Sequence, residues 1–115
     1  MLADQIAPHI SSIEIRTVEA DDIWMSPMYH RASAVIHFNW RYEPQAVRRL
    51  CPIIENELKP FSPRPHWGKE FSMSARELTQ CYEKMNDFRE LLRSEFDPEG
   101  KFRNEFLDHF VQLPY

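Results

Sequence analysis

The chain has 115 residues, with 18 Asp and Glu against 14 Lys and Arg, a formal net charge of −4. That length allows one small domain with a real but shallow core; the mild acidity and evenly mixed charge argue against a nucleic-acid binder or a polybasic membrane-surface segment. There are two glycines, Gly68 and Gly100, where ordinary usage gives about eight, so a glycine-rich phosphate cradle is excluded.

The residues from Met1 to Ile10 include Asp4, Pro8 and His9 and lack the apolar core of a secretory signal. No apolar run approaches the roughly 20 residues that span a bilayer. Ile10 to Glu19 alternates as a strand does, with Ile13, Ile15 and Thr17 on one face and Glu14, Arg16 and Val18 on the other. Asp21 to Arg31, with Pro27, reads as a connection with one helical turn. Ser33 to Arg41 reads as a second strand, placing Ala34, Ile36, Phe38 and Trp40 opposite Val35, His37, Asn39 and Arg41.

A helix over Tyr42 to Lys59 follows, opened by Pro44 and striped by Val47, Leu50, Cys51, Ile54 and Leu58. Pro52 should kink or restart it, because it removes a backbone donor and crowds the preceding turn. Pro60, Pro63 and Pro65 then impose an extended segment, Phe61 to Phe71. Ser74 to Phe96 reads as one long helix, opened by the capping box Ser74–Glu77 and striped by Leu78, Cys81, Tyr82, Met85, Phe88 and Leu92. Asp97-Pro98-Glu99-Gly100 is a stop and turn, and Arg103 to Val111 a short closing helix. The tail Leu113-Pro114-Tyr115 reads as loose or docked by its ring. The order predicts an α+β fold: a small antiparallel sheet of two to three strands with helices packed on one face. So few strands point to a part of something larger, or to pairing with a second copy.

Three groups of residues invite a chemical reading. Glu14 and Arg16 share one strand face, His37 and Asn39 another; if the strands are neighbours, four polar groups crowd one surface, as a site or as a solvated face. Phe61 to Phe71 sets Arg64, His66 and Lys69 among prolines and aromatics, either as a rigid ligand site or as a loop over the core with Trp67 as plug. The five histidines show no ligand spacing, so no metal site is expected. Cys51 and Cys81 form no CxxC and read as two reduced thiols on helices, as in a cytoplasmic protein.

Arg64-Pro65-His66-Trp67-Gly68-Lys69 resembles the C-terminal signature of the flavin-dependent sugar oxidases: the alditol (xylitol) oxidases and, more distantly, the L-gulonolactone and D-arabinono-1,4-lactone oxidases. The run from Phe96 to Leu107 resembles the closing D-P-x-G-x-F-x-N-x-x-L of these enzymes. Glu14-Ile15-Arg16 and His37-Phe38-Asn39-Trp40 fall where alditol oxidases carry E-I-R and H-F-x-W. The resemblance covers about Ser11 to Phe110 and implies a two-domain flavoprotein of the vanillyl-alcohol-oxidase type. Residues 1–115 would then be one piece of its C-terminal substrate (cap) domain, with FAD held mainly by an N-terminal domain that this chain lacks.

Carried over residue by residue, the resemblance implies that Glu14 and Arg16 bind substrate hydroxyls, and that His37 draws off the hydroxyl proton. Lys69 would bind the reacting hydroxyl, and Asn39 would touch substrate at a position where relatives can have threonine. His66 and Trp67 would shape the site. His37, Lys69 and Arg16 are thus the expected catalytic residues, and a polyol or sugar lactone the expected substrate, oxidised by O2 to give H2O2. The chain alone would be inactive and cytoplasmic, with membrane association only by analogy to lactone oxidases. The alternative is a stand-alone interaction module or a homodimer through an open sheet edge. A cofactor-free acid/base enzyme on Glu14 and His37 lacks a nucleophile and a closed pocket.

Overall fold

The computed structural model describes residues 1–111. Its α+β architecture is a two-stranded antiparallel sheet followed by a run of short helices. Helix α1 (Leu2–Ile6) and a 3₁₀ turn at Ala7–His9 lead into β1 (Ile10–Val18), which pairs with β2 (Ser33–Trp40). Ser11 is an extra residue in the ladder, between the pairs Ile10–Trp40 and Ser12–Asn39. Such a bulge shifts which side chains face one another. From there the register runs Ile13–Phe38, Glu14–His37, Ile15–Ile36, so polar faces polar and apolar faces apolar.

The expected connection at 21–31 carries no helical turn. Asp21 organises it instead: its carboxylate accepts from the Ile23 amide (3.0 Å) and the Ser26 hydroxyl (2.5 Å). Asp21 and Tyr29 also form an isolated bridge. A half-buried carboxylate in the turn thus satisfies the Ile23 amide without a helix.

Helix α2 (Pro44–Leu58) runs unbroken through Pro52, contrary to the expected kink. Pro52 and Arg48, whose carbonyl loses its partner, are both on the exposed side, so that carbonyl is not buried without a donor. Val47, Leu50 and Ile54 are buried as the stripe requires. A 3₁₀ turn at Lys59–Phe61 ends the helix, and the Pro-rich segment after it is non-helical apart from a turn at Trp67–Gly68.

The long helix expected over Ser74 to Phe96 is broken in two. Helix α3 (Ala75–Cys81) ends where Tyr82 turns extended, at φ −117° and ψ 102°, and α4 (Met85–Leu91) starts afresh before a π turn at Leu92–Phe96. The break keeps the stripe's function: Leu78, Tyr82 and Met85 are all buried in one cluster. The capping box forms as read, Ser74 Oγ accepting from the Glu77 amide at 3.3 Å and Glu77 accepting from the Ser74 amide at 2.9 Å. The turn at 97–100 closes with Gly100 at φ +67°, a left-handed conformation in which an added Cβ would lie 2.7 Å from Arg103 Cδ. The closing helix ends in a π turn at Leu107–Val111; the Leu113-Pro114-Tyr115 tail lies outside the described residues.

Two separate cores result. The first joins α1, α2 and one end of the sheet through Ile6, Leu50 and Ile54, with Ile10, Phe38 and Trp40 against them. The second joins α3, α4, the Pro-rich segment and the closing turn through Leu78, Tyr82, Met85 and Val111. Helices therefore cover one end of the sheet's apolar face, while Ile15 (72 % exposed) and Ile36 (42 %) at the other end lie open. The radius of gyration is 15.9 Å, above the roughly 13 Å of a compact chain this long.

Candidate functional site

The strand pairing brings Glu14, Arg16, His37 and Asn39 to one face. Glu14 and His37 are direct cross-strand partners, and Ser12 stands opposite Asn39. Directly opposed side chains in an antiparallel pair lie about 5 Å apart at Cβ. Arg16 Nη2 donates to Glu14 Oε2 at 2.5 Å, and Asn39 Nδ2 donates to Ser12 Oγ at 2.8 Å. The Arg16 guanidinium holds the Glu14 carboxyl below its ordinary value of 4.5, opposed by desolvation and with lesser help from Asn39 and His37. The face thus offers a fixed carboxylate acceptor, a guanidinium, an imidazole and an amide side by side.

The Pro-rich segment separates its residues into two kinds. Arg64 and Trp67 turn inward. Arg64 Nε donates to the carbonyl of Cys81 (2.9 Å), and Nη1 to those of Pro27 (3.1 Å) and Tyr29 (2.9 Å). Trp67 Nε1 donates to the Met25 carbonyl (2.9 Å), and its ring stacks on Tyr82 with centroids 5.0 Å apart. Trp67 is therefore the plug over the core that the sequence offered as one of two readings. His66 and Lys69 turn outward and are exposed. His66 Nδ1 accepts from the Gly68 amide (3.0 Å), and the Lys69 amide donates to the His66 carbonyl (3.1 Å), which closes the turn.

Lys69 thus stands on the second core and the four strand residues on a sheet anchored to the first. Sequence reasoning missed the backbone-binding role of Arg64, because its acceptors lie 17, 35 and 37 residues away. A surface hollow of about 770 Å³ lies elsewhere, at the start of α2 beside the His9–Glu43 pair, and none of the expected site residues lines it. Cys51 and Cys81 are free and half-buried, and burial pushes both thiols up. No helix among the described residues is long and apolar enough to cross a membrane.

The profile of a family described as D-arabinono-1,4-lactone oxidase matches residues 2–110. The chain is 42 % identical to an alditol oxidase from Streptomyces over 92 % of its own length and 25 % of that protein's. It is 33 % identical to an L-gulonolactone oxidase from Scyliorhinus torazame, over 84 % of its length and 22 % of that protein's. It is 27 % identical to an L-gulono-1,4-lactone dehydrogenase from Mycobacterium tuberculosis, over 86 % and 23 %. The chain therefore spans about a quarter of the length of these relatives. With residues 2–110 matched, nearly the whole chain, the chain belongs to the D-arabinono-1,4-lactone oxidase family.

Proposed function

We propose that this chain is the substrate-binding portion of an FAD-linked oxidase that oxidises a CH–OH group of a polyol or sugar lactone. The observation that carries the reading is the juxtaposition of Glu14, Arg16, His37 and Asn39 on one strand face. The identity to alditol oxidase favours a polyol over a lactone.

The described residues do not fit as the holder of FAD. The strand face is open, with the Arg16 side chain 72 % exposed and that of Glu14 40 %, so it has no walls to enclose a dinucleotide. Gly68 and Gly100 stand alone in the sequence and build no turn that brings successive amides onto a diphosphate. We assign the flavin to the part of the relatives' length that this chain does not span.

What the chain's own residues do follows from their chemistry. Glu14, held ionised by Arg16, accepts hydrogen bonds from substrate hydroxyls. The imidazole of His37 takes the proton of the reacting hydroxyl. Arg16 and the ammonium of Lys69 stabilise negative charge as it grows on that oxygen. Asn39 orients a neighbouring hydroxyl. Overall, the alcohol carbon becomes a carbonyl and two electrons and two protons pass to O2, giving H2O2.

The test is the intact mass, visible spectrum and peroxide yield of the native polypeptide, captured from its source by a binder raised against this chain. The expected product is several times heavier than 13.8 kDa, yellow, and forms peroxide with xylitol or sorbitol. A colourless 13.8 kDa product would overturn the reading. It would favour the second one, a stand-alone module that pairs through the sheet, for which the exposed partners Ile15 and Ile36 speak. That module would show a mass rising with concentration in sedimentation.

A further inference from the structure

Arg64 is the one charged side chain of the hexapeptide that turns inward. Its guanidinium is half-buried and lies 5.4 Å from the centroid of the Tyr82 ring. Among the described residues no carboxylate pairs with it; it meets the backbone carbonyls of Pro27, Tyr29 and Cys81 instead. Cys81 is the last residue of α3, so its carbonyl has no partner within the helix. One side chain thereby ties the Pro-rich segment to the loop at 27–29 and to the end of α3. Trp67, three residues on, adds a second tie to Met25 in the same loop.

The rest of the path to Lys69 is short and stiff. Pro65 fixes one φ angle, and the turn over 66–69 is closed by the two hydrogen bonds to His66. One residue, Gly68, separates the second tie, at Trp67, from Lys69. Arg64 reaches the three carbonyls from two nitrogens of one rigid plane; a lysine ammonium carries its donors on a single atom at the end of a flexible stem and does not hold the same geometry.

We propose that Arg64 is a positioning residue: its clamp on three backbone carbonyls sets where the turn at 66–69 presents the Lys69 ammonium to substrate. The inference rests on the role given to Lys69 in the proposed function. It makes Arg64 matter for turnover through Lys69 rather than through overall folding.

The experiment is a double-mutant cycle in the complete oxidase with xylitol as substrate, reading kcat and KM, with bound-flavin absorbance as the loading control. Lys69→Ala alone is expected to lower kcat by orders of magnitude. Arg64→Lys alone is expected to lower kcat by on the order of 100-fold, as a displaced catalytic group does, with the flavin retained. In the Lys69→Ala background the same substitution should cost less than about threefold, because nothing is left to position. An equal loss in both backgrounds, or no loss from Arg64→Lys, overturns the positioning role and leaves the Lys69 assignment standing. Unchanged kcat in Lys69→Ala overturns the Lys69 assignment and this inference together. If Arg64→Lys does not retain flavin, Arg64→Gln, which keeps N–H donors on a shorter, uncharged side chain and cannot reach all three carbonyls, takes its place. It should show the same non-additivity, and a multiplicative loss would overturn the proposal.

Discussion

The strand face and the Pro-rich turn bring polar groups to the surface by different physical means. Glu14, Arg16, His37 and Asn39 are placed by backbone register, and their side chains hold one another. Lys69 is placed by its neighbours: Arg64 and Trp67 are inserted into the second core and grip five chain positions around it, four backbone carbonyls and the Tyr82 ring. The first arrangement depends on pairing two strands whose far end is uncovered. The second depends on a buried cluster with no exposed member. In the proposed site the sheet would set four groups and the packed core one, and the substrate would be what joins them.

Substitutions separate the two regions by the size of their effects. The largest effect on stability is expected at Leu78, fully buried in the second core, where Leu78→Ala should cost about 2–5 kcal/mol. Ile15→Ala, on the open end of the sheet, should stay within about 0.5 kcal/mol. Hydrogen exchange of the α3 amides checks the pair: fast exchange in the first variant, native exchange in the second. A smaller loss, about 1 kcal/mol, is expected for Ser74→Ala, which removes the cap of α3. It should raise exchange in the first turn of α3 and leave β1 unchanged.

The smallest effect is one of pH. Arg16 lowers the Glu14 carboxyl from 4.5, so the folded state favours the ionised form. That stabilisation is fully present above the ordinary carboxylate value and is lost as pH falls through the lowered one. If Glu14 binds hydroxyls as a carboxylate, KM for a polyol should stay flat as pH falls to about the ordinary carboxylate value. In Arg16→Met the rise in KM should begin at higher pH, because the partner that holds the charge is gone. A pH profile of KM unchanged by that substitution removes Glu14 from the binding face.

How much of this was legible in the sequence depended on the range of the force involved. The alternation of Ile13, Glu14, Ile15 and Arg16 fixes β1 to within a residue, because side-chain direction in a strand has a period of two. The Ser74–Glu77 box and the turn at Asp97–Gly100 are equally local and formed as read. Helix α1 went unread because five residues ahead of Pro8 carry no cap signal or stripe. The break at Tyr82 was not legible either, since the stripe continues across it. It arises because Tyr82 packs on Trp67 and the freed Cys81 carbonyl goes to Arg64, contacts that span 15 and 17 residues. The facing of Glu14 and His37 needed the strand register, which a bulge at Ser11 adjusts; their proposed chemistry was reached through resemblance, not through periodicity.

In the proposed function, His37 on the sheet and Lys69 on the packed turn act on one substrate atom. The most direct measurement is the rate at which a polyol bleaches the flavin without oxygen in the complete oxidase, for His37→Ala, Lys69→Ala and the double variant. Groups that act as a unit lose most of their effect with the first removal. Each single variant should therefore slow bleaching by about 100-fold or more, and the double variant should be little slower than the worse single one. Losses that multiply, or either single variant within about threefold of the parent, would contradict the account.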